Sequence, residues 1–271
     1  MVKKFTKIVG ILNITPDSFS DGGKFYEKKL AIEQLKKMLY EGADVIDIGA
    51  ESTRPNAQKL NGQEEFKRLE NILPEIIYEI TKFNNNQEKQ VKASIDSYHF
   101  TTIVKSYEIG IKIVNDVSGL VDDNIIEFIA KNNILTILMH NLAIHANPDV
   151  VINQDLNINN EIINFAQEKI LNLQKKGIKK SQLIFDPGIG FSKNAGQSLR
   201  IIKNIDSYRV LGLDLFIGHS KKSFLDAIDL PLDRAQKTLE ITKFLARKKI
   251  EYIRVHDVKS NLESLANLEN L

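Results

Sequence analysis

The chain has 271 residues, 42% of them hydrophobic and 27% charged, with 37 Lys and Arg against 35 Asp and Glu. That length suits one α/β barrel, and a net charge of +2, well mixed along the chain, excludes a broad nucleic-acid surface; any anion must be held by a few placed groups. There is no cysteine, which excludes disulfides, thiolate metal sites and cysteine nucleophiles.

Lys3 and Lys4 precede an apolar stretch in the manner of a secretory leader, but Asn13, Thr15, Pro16 and Asp17 interrupt it early and no small-residue cleavage site comes after it. The segment therefore reads as a first strand. No apolar run approaches the roughly 20 residues that span a bilayer, so a soluble, cytoplasmic chain with no membrane and no nucleic-acid partner is expected. Short apolar runs then recur at residues 7–13, 45–50, 92–97, 113–118, 135–140, 183–188, 215–220 and 252–257. Each leaves through polar residues: Asn13, Asp47, Asp96, Asn115 with Asp116, His140, Asp186, Ser220, and His256 with Asp257. Strands buried on both faces read as continuous apolar runs, and polar residues at the C-terminal ends of eight such strands surround the active site of a closed barrel. The predicted fold class is α/β, a single (β/α)8 TIM barrel over residues 1–271.

Between the runs lie helical patterns. Residues 30–40 place Leu30, Ile32, Leu35, Met38 and Leu39 at helical spacing, with Gly42 as a stop. Residues 66–83 carry one apolar stripe, and Pro74 inside it predicts a kink or a broken first turn. Further helices are predicted at 99–107, 123–131, 158–175, 197–205, 224–226 and 235–248, the piece at 224 being longer than its pattern shows. Neither an internal repeat nor a domain linker is evident. The polar segment 141–157 reads equally as a βα loop near the active face or as a surface excursion.

The candidate chemistry lies in the segments just past the strand ends. After strand one, residues 13–23 combine Ser, Thr, Asp, one Phe and Gly22-Gly23, a composition for a loop that closes over a ligand while Asn13 or an Asp offers oxygen to a hard cation. After strand two, Arg54 suits an anion. Asp96, Asn115 and Asp186 end strands three, four and six; pointing into one cup they need either each other or a heterocycle rich in N–H and C=O edges. Asp186-Pro-Gly-Ile-Gly-Phe191 lacks the spacing of a dinucleotide fingerprint. Ser220-Lys-Lys-Ser223 and the pair Arg254 and His256, two residues apart and so on one strand face, suit phosphate or carboxylate.

Taken in order, residues 13–23, 51–55, 94–96, 115–119, 139–140, 186–191, 220–224 and 254–258 closely resemble the motifs of dihydropteroate synthase, from the first strand to the last. The resemblance implies a (β/α)8 barrel that joins 4-aminobenzoate to (7,8-dihydropterin-6-yl)methyl diphosphate, forming 7,8-dihydropteroate and diphosphate in folate biosynthesis, and that is the target of sulfonamides. It implies pterin contacts at Asp96, Asn115, Asp186 and Lys222. It implies Mg2+ at Asn13, diphosphate contacts at Arg254 and His256, and methylene stabilisation by Asp21. The aminobenzoate pocket matches Phe19, Thr53, Arg54, Pro55, Phe191 and Ser223. Asp21, Arg54, Lys222 and His256 match the catalytic set, and the family implies a homodimer through late helices such as 235–248. Four positions depart from the pattern: Lys221 stands where Arg is usual, Asn56 where Gly is frequent, His219 where the residue is usually small or hydroxylated, and Asn141 after Met139-His140. A pterin-binding barrel that transfers a methyl group to a corrinoid protein, and a paralogue that only binds pterins, are the alternatives.

Overall fold

The computed structural model describes residues 6–15, 23–53, 57–144, 147 and 150–269. Its strands are β1 Lys7–Asn13, β2 Val45–Gly49, β3 Lys92–Asp96, β4 Ile113–Asp116, β5 Leu135–Met139, β6 Leu183–Asp186, β7 Asp214–Gly218 and β8 Tyr252–Val255. They pair in chain order, all parallel, and β8 pairs with β1 to close the barrel. The helices are α1 Gly23–Glu41, α2 Gly62–Leu69, α3 Leu73–Asn84, α4 Phe100–Glu108, α5 Asp123–Asn132, α6 Ile158–Lys175, α7 Ala195–Lys203, α8 Arg234–Arg247 and α9 Val258–Glu269. The chain is thus the predicted TIM barrel. No helix among the described residues is long and apolar enough to cross a membrane.

Strand alternation divides the apolar residues into two cores. Ile8, Ile46, Ile48, Ile95, Phe185, Ile217 and Ile253 point outward and are covered by the helices. Val9, Val45, Ile113, Ile137, Ile184 and Phe216 point inward and fill the barrel, with Leu135 and Tyr252 packed against them. This plug closes the N-terminal half of the interior. Two residues further along, the same inward faces carry Asp47, Asn115, Asp186 and Arg254. A step of two residues therefore takes the barrel from an apolar floor to a polar layer.

Local chemistry explains the helix boundaries. The stripe at 66–83 is two helices, and Pro74 lies in the first turn of α3, where its missing N–H costs no hydrogen bond. Before it, Asn61 caps α2: its Oδ1 accepts from the N–H groups of Gln63 and Glu64, each at 3.0 Å, while Glu64 reaches back to the Asn61 N–H. The piece at 224–226 is longer than its pattern by one residue at each end, a 3-10 turn over Ser223–Ala227 ended by an extended Ile228. Helix α9, absent from the sequence prediction, buries Val258 and Leu265 and packs beside β1 and α8. The described part of 141–157 belongs to the active face: Asn141 Nδ2 donates to the Val117 carbonyl, Leu142 N to Ser192 Oγ, and Ile152 N to the Ser192 carbonyl.

Candidate active site at the mouth of the barrel

The lowest polar layer is built around Asp47, which is fully buried. Ser94 Oγ donates to its Oδ1 at 2.6 Å, and Asn115 Nδ2 to its Oδ2 at 3.0 Å. Arg254 spans the mouth from β8: its Nε donates to Asp47 Oδ2 and its Nη2 to Asp96 Oδ2, both at 2.6 Å. Register makes this possible, since Asp47 pairs with Ser94 and Asp96 with Asn115 on neighbouring strands. Burial pushes Asp96 above the usual carboxylate range, and Asp47, Glu65 and Asp116 add to this against the pull of Arg254.

On the other side stand Asp186 and Lys222. Asp186 accepts the Gly188 N–H at 2.7 Å, and burial raises its carboxyl against the pull of Lys222. Lys222 Nζ donates to the Ile189 carbonyl and lies 4.6 Å from the centroid of the Phe191 ring; burial lowers its ammonium to about 8 despite Asp186. The turn between them requires glycine: Gly188 has φ +68°, and a Cβ there would lie 2.1 Å from the His140 carbonyl oxygen. Beneath it, Lys193 Nζ sits 2.9 Å from His140 Nδ1 and donates to the Phe191 carbonyl at 2.8 Å. Burial, with Lys193 adding to it, lowers His140 to about 3, so the ring is neutral and Nδ1 accepts. Lys193 itself is lowered by burial to about 7.

At the lip, Asn13 Oδ1 and Asp96 Oδ2 both lie within 4 Å of the point where Gly49 would carry a Cβ, at 3.8 and 3.6 Å. His256 Nδ1 is 3.0 Å from Ser220 Oγ, tying the end of β8 to the loop after β7. In that loop Lys221 holds a left-handed φ of +58°, with its N–H bound to Thr238 Oγ1, and Ser223 is exposed. Thr53 is half-buried just after β2. Phe19, Asp21, Arg54 and Pro55 lie outside the described residues. The structure thus gathers Asn13, Asp96, Asn115, Asp186, Phe191, Lys222 and Arg254 at one mouth.

Two residues of this arrangement escape the sequence prediction. Asp47 reads there only as the exit of a strand, yet it is the third of five strand residues and faces inward; a carboxylate in the middle of a buried apolar run was the available signal. Lys193 has no such signal, because its burial depends on the loop around it.

Comparison with known proteins agrees with this geometry. Residues 9–256 match the pterin binding enzyme family. Dihydropteroate synthase of Clostridium beijerinckii is 35% identical over 260 residues, covering 94% of this chain and 90% of that protein. The chain belongs to the dihydropteroate synthases. These are transferases of folate biosynthesis. A probable bifunctional folylpolyglutamate synthase/dihydropteroate synthase of Haloferax volcanii is 32% identical over 96% of this chain, which spans 30% of that longer protein. The crystal structure of the family member from Anaplasma phagocytophilum with bound 6-hydroxymethylpterin-monophosphate superposes with a TM-score of 0.87 at 33% identity, covering 98% of this chain and 99% of that one. The Xanthomonas albilineans member with 4-aminobenzoic acid gives 0.84 at 26% identity, covering 98% and 92%.

The ion-paired layer makes a quantitative prediction. Asp47→Asn leaves Arg254 with one carboxylate and sets an amide N–H₂ among donors, so it should cost roughly 3 kcal/mol in urea denaturation. Arg254→Met should cost a similar amount. The double variant should lose less than the sum of the two by at least about 1 kcal/mol. Additive losses would mean that the two side chains do not depend on each other.

Proposed function

We propose that the polar layer of the barrel receives the pterin of (7,8-dihydropterin-6-yl)methyl diphosphate and that the protein joins this substrate to 4-aminobenzoate, giving 7,8-dihydropteroate and diphosphate. The observation that carries this is the convergence of Asp96, Asn115, Asp186 and Lys222 directly above an apolar floor, a set of acceptors and donors suited to the edge of an amino-pyrimidinone. Carboxylates accept the ring N–H groups, and Lys222 donates to the ring carbonyl. A pterin N–H taken up by Asp96 competes with Arg254 Nη2, which turns the guanidinium toward the diphosphate alongside His256. The family resemblance assigns the aminobenzoate to Phe19, Thr53, Arg54, Pro55, Phe191 and Ser223.

The reaction is SN1-like. The bond from the pterin methylene to the diphosphate oxygen breaks with its electron pair on the oxygen, and cations at the lip stabilise that charge. Asp21 stabilises the methylene left positive. The aniline nitrogen then forms the new C–N bond and gives its proton to solvent, so no strong base is required. Mg2+, when bound, neutralises charge on the departing diphosphate. Asn13 would hold it. Its amide oxygen is a hard donor at the lip, and Mg2+ commonly takes one or two protein oxygens and completes its shell with water and substrate phosphate.

The same reading places the chain in the cytoplasm as a homodimer. An apolar groove of about 260 Å3 between α7 and α8, lined by Leu199, Ile202, Ile228, Ile241 and Phe244, supports the late helices as the contact.

Purified protein given Mg2+, the pterin diphosphate and 4-aminobenzoate should release diphosphate. Pterin binding without release would favour a binding-only paralogue, and methyl transfer from a methylated folate to a corrinoid protein would favour the methyltransferase alternative. Pterin affinity should also depend on pH through Lys222. An ammonium lowered to about 8 loses its proton as pH rises past that value, so affinity should fall roughly tenfold by one pH unit above it. Lys222→Arg keeps the charge and should flatten the profile in calorimetric titrations. A flat profile in the unsubstituted protein would remove the Lys222 charge from pterin recognition.

A further inference from the structure

The turn after β6 takes a strained path. Gly188, Gly190 and Ser192 all have left-handed φ values, +68°, +77° and +52°. That conformation is costly for serine, and such strain persists only where the surroundings hold it. From the mouth, Lys222 Nζ donates to the Ile189 carbonyl, and the Lys222 Cδ lies 3.3 Å from the point where Gly190 would carry a Cβ. Phe191 is half-buried, with its ring centroid 4.6 Å from the same Nζ.

The other holds come from the end of β5. The His140 N–H donates to the Asp186 carbonyl at 2.9 Å, which sets the exits of β5 and β6 side by side. Ser192 Oγ donates to Asn141 Oδ1 at 3.1 Å and accepts the Leu142 N–H at 3.2 Å. Lys193, 6% exposed, reaches back beneath the turn. Its Nζ lies 2.9 Å from His140 Nδ1 and donates to the Phe191 carbonyl at 2.8 Å and to the His140 carbonyl at 3.3 Å. An ammonium has three N–H groups, and three acceptors meet this one. The Nζ is also 3.3 Å from the point where Gly188 would carry a Cβ, so it packs against the turn itself. An edge-to-face contact with Phe165, centroids 4.7 Å apart, orients the imidazole.

Desolvating an ammonium is costly, and an apolar side chain would fill the same space without that cost. Asp186 attracts Lys193 and Lys222 repels it, but its bonds go to a neutral imidazole and two carbonyls. What those bonds fix is the backbone at Phe191. We infer that Lys193 and His140 are positioning residues for the second substrate: together they form a buried peg that sets the Phe191 backbone, and with it the ring that stands beside Lys222. The inference rests on the assignment of Phe191 to 4-aminobenzoate. The proposed pterin contacts at Asp96, Asn115 and Lys222 come from β3, β4 and the loop after β7, so the two substrates should respond differently.

Steady-state kinetics at about pH 6, below the titration of both lysines, tests the peg. Lys193→Met removes all three donors and should raise KM for 4-aminobenzoate roughly tenfold. Because the diphosphate leaves before the aniline attacks, kcat at saturating 4-aminobenzoate should stay within about twofold, as should KM for the pterin diphosphate. His140→Leu removes the acceptor and should act in the same way, whereas His140→Asn sets an amide oxygen near the place of Nδ1 and should restore KM. The double variant of Lys193→Met and His140→Leu should be no worse than either alone, because the same peg is lost. Should Lys193→Met not fold, His140→Leu against His140→Asn carries the test. An unchanged KM for 4-aminobenzoate overturns the inference, and so does a loss shared equally by kcat and both KM values; in either case the catalytic assignment stands. If the unsubstituted protein does not turn over at all, the catalytic assignment fails. The peg is then read from hydrogen exchange at the Phe191 amide, which donates to the Gly188 carbonyl at 3.0 Å across the turn. Protection lost in Lys193→Met and kept in His140→Asn supports it; equal protection in both variants and the unsubstituted protein overturns it.

Discussion

An arginine held between two carboxylates inside the barrel is the interaction on which the rest of the site depends. Arg254 bonds Asp47 and Asp96 at once, and Asp47 gathers Ser94 and Asn115 beneath it. A fully buried charge such as Asp47 persists only when it is paired and hydrogen-bonded. β2, β4 and β8 contribute one member each and β3 contributes Ser94 and Asp96, so the layer couples these four strands through their side chains as well as their backbones. Stability for the whole comes from elsewhere, from the apolar floor below and the helix-covered outer face. The barrel can therefore hold a polar layer that contributes little net stability and is available to exchange its internal partners for a ligand's.

Burial shifts the ionisable groups of the mouth toward their neutral forms. Lys222 near 8 and Lys193 near 7 are both lowered by burial, while Asp96 and Asp186 are raised by it. Groups desolvated in this manner are strong partners for a ligand that brings complementary edges, because they give up little hydration when it binds. The loop after β6 is shaped by close backbone approach at Gly188 and by the buried Lys193–His140 contact. Just after β2, Glu51 accepts from the Leu60 N–H and the Tyr98 hydroxyl. The floor of the mouth is apolar and buried.

Much of this is legible in the amino-acid order because the strand period is two. Val45 and Asp47, Ile113 and Asn115, Ile184 and Asp186 stand two apart, so an apolar run that ends in a polar residue states both burial and direction. Pro74 likewise marks the break between α2 and α3. What could not be seen is what depends on distant residues. Lys193 sits in a polar loop and is buried against His140, which arrives from the end of β5. His99 looks like a helix cap until Glu51 and Glu65 are placed beside it. Helix α9 is a tail with a weak stripe, ordered by packing against β1 and α8. The specific chemistry came from the ordered family motifs, since a cup of acceptors and cations does not by itself name a pterin.

The most direct measurement is a crystal structure of the protein soaked with 6-hydroxymethylpterin monophosphate. The account predicts the ring on the apolar floor, its amino-pyrimidinone edge within hydrogen-bond reach of Asp96, Asn115 and Asp186, and its phosphate at the lip beside Arg254 and His256. A ring seated elsewhere, with the Asp47–Arg254–Asp96 bonds unchanged and the layer empty, would contradict it.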